Sequence, residues 1–167
     1  MTETKGKPAK PAGKQSRPRT GVARSASRLG AVQALYQMDI GGSELADVLA
    51  DYGSGRIGVQ FDDGQCGEAD YGFLKAIVEG VVEDQVLIDK KVNECLGEGW
   101  TLARLEATSR AILRAGGFEL MFRDDVPPKV TISEYVEVAK AFFSGSEPGF
   151  VNASLDAMAR KRRPEEM

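Results

Sequence analysis

Apolar residues recur every three or four positions along most of the chain beyond residue 28, which is the period of an α-helix. The segment 102–122 shows this period most clearly, through Leu105, Ile112, Leu113, Gly116 and Leu120. The adjacent glycines Gly116 and Gly117 lie within it and are expected to permit close packing of a neighbouring helix. No segment shows the period-two alternation that is typical of a half-buried strand. We therefore predict an all-α fold whose short connections favour antiparallel neighbours.

Seven helices follow from these apolar faces and from the glycine and proline residues between them. The first is expected to begin at Ser25 or Ser27, either of which can cap a helix, and to end near residue 38. A capping box from Thr131 to Glu134 is expected to open the sixth helix. The other predicted helices cover about residues 44–52, 69–81, 84–96, 102–122 and 150–160.

Two segments are expected to lie outside the helices. Residues 1–21 are rich in Lys, Pro, Gly, Ser and Thr and offer almost nothing to bury, so we predict a disordered basic tail there. Residues 53–67 form a glycine-rich loop, in which Val59 and Phe61 are expected to lie against the core. The predicted organisation is a single helical domain, residues 22–163, between this tail and a short C-terminal tail, residues 164–167.

The charge of the chain is unevenly distributed. Residues 1–28 carry eight Lys or Arg and one acid, Glu3, a net charge of +7. The remainder carries 14 basic and 24 acidic residues, a net charge of −10. A basic arm on an acidic body is typical of a chain that touches a polyanion at one end, although a solvated tail that aids solubility explains the same pattern.

Several kinds of chemistry are made improbable by composition. Histidine is absent, which removes the commonest general base and metal ligand, and we predict neither a catalytic residue nor a metal or cofactor. Cys66 and Cys95 are the two cysteines and have no metal-site spacing; without an export signal we expect reduced thiols in the cytoplasm. No phosphate loop, dinucleotide fingerprint or apolar run of membrane-spanning length is present.

Arginines near the amino end are the strongest candidates for a binding site. Arg24 and Arg28 are four residues apart and project from one helical face, and Arg17 and Arg19 lie just upstream. Guanidinium groups bind phosphates and stack on bases, which suits flexible RNA. Ordinary charge on an exposed helix is the alternative. A second basic cluster, residues 160–163, is explained more simply by the dipole at the end of the last helix.

Several motifs, in this order along the chain, resemble those of the NusB family. They are RLGAVQALY at residues 28–36, AILR at 111–114, DVP at 125–127, EVAK at 137–140 and FVN at 150–152. The resemblance implies an all-helical fold of about seven helices in two bundles. It also implies a transcription antitermination factor that binds the single-stranded boxA element of nascent ribosomal RNA together with the ribosomal protein NusE, so that RNA polymerase reads through terminators.

The resemblance also implies roles for individual residues. Arg24 and Arg28 match an arginine-rich RNA-binding motif, which Arg17 and Arg19 of the tail extend. Further implied RNA contacts are Gln33, Phe150 and Asn152, although Phe150 also fits a core position and Asn152 a loop cap. The implied partner-binding residues are Tyr36 and the exposed side of the central helix near Ser109 and Arg110, although Tyr36 also fits a buried anchor.

Two other functions are compatible with these motifs. A NusB-like domain also precedes the catalytic domain of some RNA cytosine methyltransferases, but residues 1–167 contain no cofactor-binding pattern. A stand-alone interaction module that forms a homodimer and covers its own RNA surface is the other alternative.

Overall fold

A computed structural model describes residues 20–53 and 70–167 of the protein. Seven α-helices account for most of these residues, which contain no strand, so the predicted all-α fold is confirmed. The helices are α1 (Thr20–Gly41), α2 (Leu45–Asp51), α3 (Tyr71–Glu83), α4 (Gln85–Asn93), α5 (Ala107–Phe122), α6 (Pro128–Phe142) and α7 (Glu147–Arg162). Short 3₁₀ turns cover Leu102–Arg104 and Pro164–Glu166.

Helix α5 is the centre of the fold. It packs against α1, α3, α4, α6 and α7. Because neighbours surround it, apolar residues on several of its faces are fully buried, among them Ile112, Leu113 and Leu120. Helices α1 and α5 run antiparallel, since Arg28 meets Glu119 near one end and Asp39 meets Arg110 near the other. One end of α5 thus lies beside the start of α1.

Glycines allow the neighbouring helices to approach α5 closely. A Cβ atom at Gly116 would lie 2.9 Å from a Leu155 methyl group of α7, and one at Gly117 would lie 3.0 Å from Val92 of α4. This confirms the role expected of the glycine pair. The tightest approach involves Gly80 of α3, where a Cβ atom would lie 2.1 Å from the ring of Phe118.

The predicted start of α1 is wrong. The helix begins at Thr20, and the two serines expected to cap it lie inside its first two turns. The hydroxyls of Ser25 and Ser27 donate to the carbonyls of Gly21 and Ala23, both at 2.9 Å. A serine hydroxyl can satisfy itself on the preceding turn, so its presence alone does not mark a helix end.

The capping box predicted for α6 is also wrong. The helix begins three residues earlier, with Pro128 in its first turn, where the absence of an N–H group has no cost. Thr131 is buried inside the helix. Side-chain caps occur at two positions that the sequence analysis did not identify, where Asp70 accepts from the N–H of Phe73 and Glu106 from that of Thr108, each at 3.0 Å.

Part of the sequence prediction lies outside the described residues. The predicted tail, residues 1–21, overlaps α1 by two residues, and its remainder is not described. Val59, Phe61 and Cys66 of the glycine-rich segment also lie outside the described residues. Cys95 is half-buried with a free thiol, and burial raises its pKa.

The contact at Gly80 gives a test of the packing. We expect Gly80→Ala to lower the free energy of unfolding by about 1–3 kcal/mol, because the added methyl group would displace the buried Phe118 ring. Gly149→Ala is the control, since a Cβ atom at this helical position meets nothing within 4 Å. Chemical denaturation of both variants measures the difference, and equal stabilities would contradict the packing described.

Candidate nucleic-acid interface

The guanidinium of Arg28 lies buried between α1, α5 and α6. Its side chain is 2% exposed, and that of Glu119 on α5 is 0% exposed. Arg28 Nε and Nη2 donate to the two carboxylate oxygens of Glu119, each at 2.9 Å. Burial alone would lower the pKa of Arg28, but the hydrogen bond and negative charge of Glu119 raise it above its ordinary value. The two residues therefore form a charged, bidentate pair within the core.

Two residues of α6 surround this pair. The Tyr135 hydroxyl donates to Glu119 Oε2 at 2.5 Å, and Glu134 Oε2 lies 3.8 Å from Arg28 Nη1. Burial and the charge of Glu119 raise the pKa of Tyr135 well above its ordinary value, so its hydroxyl keeps the proton that it donates. Ser25 also donates to Glu134, at 2.7 Å. These bonds connect α1, α5 and α6 at one point.

The RNA contact predicted for Arg28 does not fit this arrangement. To reach a phosphate, the guanidinium would have to leave Glu119 and strand a buried carboxylate, which costs about 3–5 kcal/mol. We therefore assign Arg28 to the core of the protein. Its place within an arginine pair suggested a surface role, but the sequence gave no sign that Glu119, 91 residues away, would bind it.

Arg24 lies one turn before Arg28, at the edge of the same cluster. Its side chain is 28% exposed and packs over the buried ring of Phe73, 4.6 Å from the ring centroid. Arg123, at the end of α5, contacts the same ring at 5.1 Å. Both guanidiniums face Asp125: Arg123 Nε and Nη2 donate to its oxygens at 3.0 Å, and Arg24 Nη2 lies 3.7 Å away. Arg24 thus remains close to solvent, as a phosphate contact requires.

Phe150 lies in a different part of the surface. Its half-buried ring meets the indole of Trp100 edge to face, with the ring centroids 6.2 Å apart. The two rings line an open groove of about 340 Å³. The other lining residues come from the start of α5 and the start of α7: Arg104, Leu105, Glu106, Ser109, Ser146 and Glu147.

Two further predicted RNA contacts are exposed polar residues. Asn152 lies on α7, within the helix and not in a loop, two residues beyond Phe150. Gln33 lies on α1 and is also exposed. Arg17 and Arg19 lie outside the described residues.

The predicted partner-binding residues differ in exposure. Tyr36 on α1 is 39% exposed. Ser109 is only 5% exposed, and Arg110 is largely buried with its Nε donating to Asp39 at 2.8 Å. The prediction that Ser109 and Arg110 form an exposed side of α5 is therefore wrong. Arg110 instead joins α1 to α5, and it also donates to the carbonyl of Leu105 at 3.1 Å.

The predicted RNA residues fall into two groups at opposite ends of α5. Arg24 lies beside Arg123, which follows the helix, whereas the groove of Phe150 includes Ser109 near its start. At 1.5 Å per residue, the 14 residues between these positions span about 21 Å. A single nucleotide cannot contact both groups, but an extended strand can.

Sequence reasoning missed several residues of both groups. Phe73 and Arg123 carried no signal, because each is ordinary in its own segment and their meeting depends on the tertiary fold. Trp100 was detectable as an exposed aromatic residue, since it follows a glycine-rich helix end. The residues from 20 to 53 and from 70 to 167 contain no group of His, Cys, Asp and Glu that could hold a metal ion. None of the described helices is long and apolar enough to span a bilayer.

Comparison with known proteins gives the class and then the family. The fold is that of all-helical proteins built around one buried central helix, and the solved structure of T. maritima NusB matches it with a TM-score of 0.69. The two chains are 30% identical, and the match covers 86% of this chain and 94% of that one. The model of the NusB family matches residues 25–160. The chain belongs to the NusB family.

Two other relatives extend this comparison. The transcription antitermination protein NusB of Rhizobium etli (strain CIAT 652) is 49% identical over 153 residues, which cover 91% of this chain and 96% of that protein. A structure of the antitermination factors NusB and NusE in complex with double-stranded RNA matches with a TM-score of 0.68. At 23% identity, covering 83% of this chain and 97% of that one, the latter match shows the shared fold.

The buried ion pair gives a test by substitution. We expect Glu119→Ala to lower the free energy of unfolding by about 3–5 kcal/mol, because Arg28 would stay buried without a partner. Replacing both residues, with Arg28→Met and Glu119→Leu, should recover much of this loss, since no buried charge remains. Chemical denaturation gives the stability of each variant.

The matched control is Asp156→Ala, which removes an exposed carboxylate bound to Arg160 at 2.8 Å. Exposed pairs of this kind contribute at most about 1 kcal/mol. If Glu119→Ala cost no more than Asp156→Ala, the buried pair would not be a main source of stability.

Proposed function

We propose that this protein is a transcription antitermination factor that binds the boxA element of nascent ribosomal RNA together with the ribosomal protein NusE. In this role it promotes read-through by RNA polymerase, acts in the cytoplasm and catalyses no reaction. The observation that carries the proposal is the pairing of a solvent-accessible arginine on an aromatic platform with a separate aromatic groove. Both lie on a chain of the NusB family.

The names of the relatives support the general role. Curated relatives about 50% identical over most of the chain are transcription antitermination proteins. One structural relative is described in complex with NusE and RNA. A chain with this degree of identity over nearly its whole length is expected to keep the general function of the family.

The amino end of α1 provides the phosphate contacts in this proposal. Arg24 is held over Phe73 with part of its guanidinium in solvent. The chain upstream adds Arg17 and Arg19 within a segment of strongly positive charge. Phosphate contacts of this kind supply much of the affinity for RNA and make it dependent on salt.

The groove of Trp100 and Phe150 provides base contacts. Trp100 is 50% exposed, so one face of its ring is open to an unpaired base. Bases of single-stranded RNA stack on aromatic side chains, each contributing about 1–3 kcal/mol. Arg104 lines the same groove and can reach an adjacent phosphate. Asn152 and Gln33 are exposed polar residues that can bind base edges or sugars.

A protein partner fits the exposed side of α1. Tyr36 and Ile40 are one turn apart, and Ile40 is 60% exposed. Apolar side chains at this spacing favour a protein surface over a polyanion. We therefore retain Tyr36 as a NusE contact, whereas Ser109 and Arg110 act on the partner surface indirectly, by holding α1 and α5 together.

The decisive experiment uses the full chain and purified NusE. Co-elution in size-exclusion chromatography measures the protein pair, and fluorescence anisotropy of a labelled boxA RNA measures binding with and without NusE. We expect a stable pair that binds boxA RNA more tightly than a scrambled RNA of equal length. No binding by the pair at physiological salt would overturn the proposal.

Arg24 is expected to contact a phosphate. Arg24→Ala should weaken boxA binding about tenfold, which corresponds to about 1.4 kcal/mol. It should also reduce the slope of log K against log salt concentration by about 0.7, the value for one phosphate contact on a single strand. Arg160→Ala is the control, since Arg160 is an exposed arginine on α7 that pairs with Asp156. Equal salt slopes for the two variants would contradict a phosphate contact by Arg24.

Phe150 is expected to stack on a base. Phe150→Ala should cost about 1–3 kcal/mol of binding free energy and leave the salt slope unchanged, because no charge is removed. Phe142→Ala is the control, since Phe142 is a 41% exposed phenylalanine on α6 outside the groove. Anisotropy across salt concentrations separates the two effects, and an unaltered affinity for Phe150→Ala would exclude the groove from the RNA path.

A further inference from the structure

Arg24 and Arg123 come from distant parts of the chain and meet over one aromatic ring. Arg24 belongs to α1, and Arg123 follows the last residue of α5. Their guanidinium carbons lie 4.6 and 5.1 Å from the centroid of the Phe73 ring. The ring is buried and fixed in α3, so it holds two cations in place at the protein surface.

A single exposed carboxylate lies against both cations. Asp125 accepts two hydrogen bonds from Arg123 at 3.0 Å and lies 3.7 Å from Arg24. Its side chain is 52% exposed, against 28% for Arg24 and 27% for Arg123, so the carboxylate covers the outer side of the pair. Two parallel N–H···O bonds from an arginine are also the geometry with which arginine binds phosphate.

The cluster has more positive charge than Asp125 can balance. Arg28, the third cation on the Phe73 ring, is already neutralised by Glu119. Two guanidiniums therefore share one carboxylate. Arg24 Nε is buried and has no hydrogen-bond partner in the described part of the protein, so this guanidinium has unused donor capacity. An incoming anion with several oxygens can satisfy both arginines better than one carboxylate does.

The segment that carries Asp125 is held in place from the other end of the chain. The buried Arg163 donates to the carbonyl of Val126 at 2.9 Å and to that of Asp124 at 3.3 Å. Burial alone would raise the pKa of Asp125, but the hydrogen bonds and charge of Arg123, together with the charge of Arg24, lower it below its ordinary value. The carboxylate is thus fixed and ionised at neutral pH.

We propose that Arg24 and Arg123 form one phosphate-binding site for the RNA backbone, and that Asp125 occupies this site in the free protein as an internal competitor. The inference rests on the proposed RNA-binding function and adds Arg123 as a contact and Asp125 as a brake on affinity. RNA binds when a backbone phosphate displaces the carboxylate from the two guanidiniums. Removing the negative charge of Asp125 therefore strengthens binding.

The test uses Asp125→Asn, which keeps the size and a hydrogen-bond acceptor but removes the charge. We expect boxA affinity to increase about two- to fivefold, the range set by the strength of exposed ion pairs. Arg123→Ala should weaken binding as Arg24→Ala does. In a chain that carries both arginine substitutions, Asp125→Asn should give no gain beyond that of the control.

The matched control is Asp156→Asn, which removes the same charge from a carboxylate paired with Arg160 on α7. A gain from Asp125→Asn no larger than from Asp156→Asn would overturn the proposal, as would a gain that persists without the two arginines. Thermal unfolding monitored by circular dichroism checks each fold. If Asp125→Asn is poorly folded, Asp125→Ser repeats the test.

A second measurement separates this inference from the proposed function. In Asp125→Asn, titration with inorganic phosphate should shift the Nε–Hε NMR signals of Arg24 and Arg123 more than that of Arg160. If the protein bound no boxA RNA but showed these shifts, the phosphate site would stand and the RNA function would fall. If RNA bound but neither phosphate nor the loss of the Asp125 charge affected the two arginines, the site would be wrong and the function would stand.

Discussion

A guanidinium and a carboxylate share the interior of this protein at the point where α1, α5 and α6 meet. Removing two charges from water is expensive, and the cost is offset because Arg28 and Glu119 satisfy each other in bidentate geometry and Tyr135 adds a further donor. Apolar packing alone would allow α1 to slide or rotate against α5. The ion pair fixes the register of the two helices, because a shift of one residue would leave both charges unpaired.

The binding surface depends on this register. Arg24 lies one turn before Arg28, so fixing Arg28 in the core places Arg24 at the edge of the protein, over Phe73 and next to Arg123. At the other end of the same helix pair, Asp39 receives Arg110 and lies 3.7 Å from Arg114, which also binds Asp89 of α4. Buried and half-buried pairs thus position the exposed residues near both ends of α1. The cationic cluster and the aromatic groove are consequently held at a fixed separation.

The sequence predicted the fold class well because apolar periodicity reports directly on which faces are buried. It also predicted the role of Gly116 and Gly117, since two glycines inside a strong helix have few explanations other than close packing. Helix starts were less predictable. Ser25, Ser27 and Thr131 have the chemistry of caps, but each lies inside its helix, and what caps α5 is Glu106, a residue type less often expected there.

The binding residues were predictable as a type but not one by one. Spacing indicated correctly that Arg24 and Arg28 share a helical face, and both contact Phe73. Which of the two is buried depends on Glu119, Glu134 and Tyr135, whose approach is set by the tertiary fold. The same holds for Ser109 and Arg110, which look exposed in a helical pattern and are covered by neighbouring elements.

Burial of the central ion pair separates two properties that both depend on arginine. Dissolved ions screen charges that water can reach, over a distance of about 8 Å at physiological ionic strength, and they have little effect on a pair enclosed by protein. Rising ionic strength therefore weakens the hold of Arg24 and its neighbours on a polyanion while the Arg28–Glu119 pair inside remains intact. The protein can release a transcript in concentrated electrolyte without losing its shape, and it can bind again once the ions are diluted.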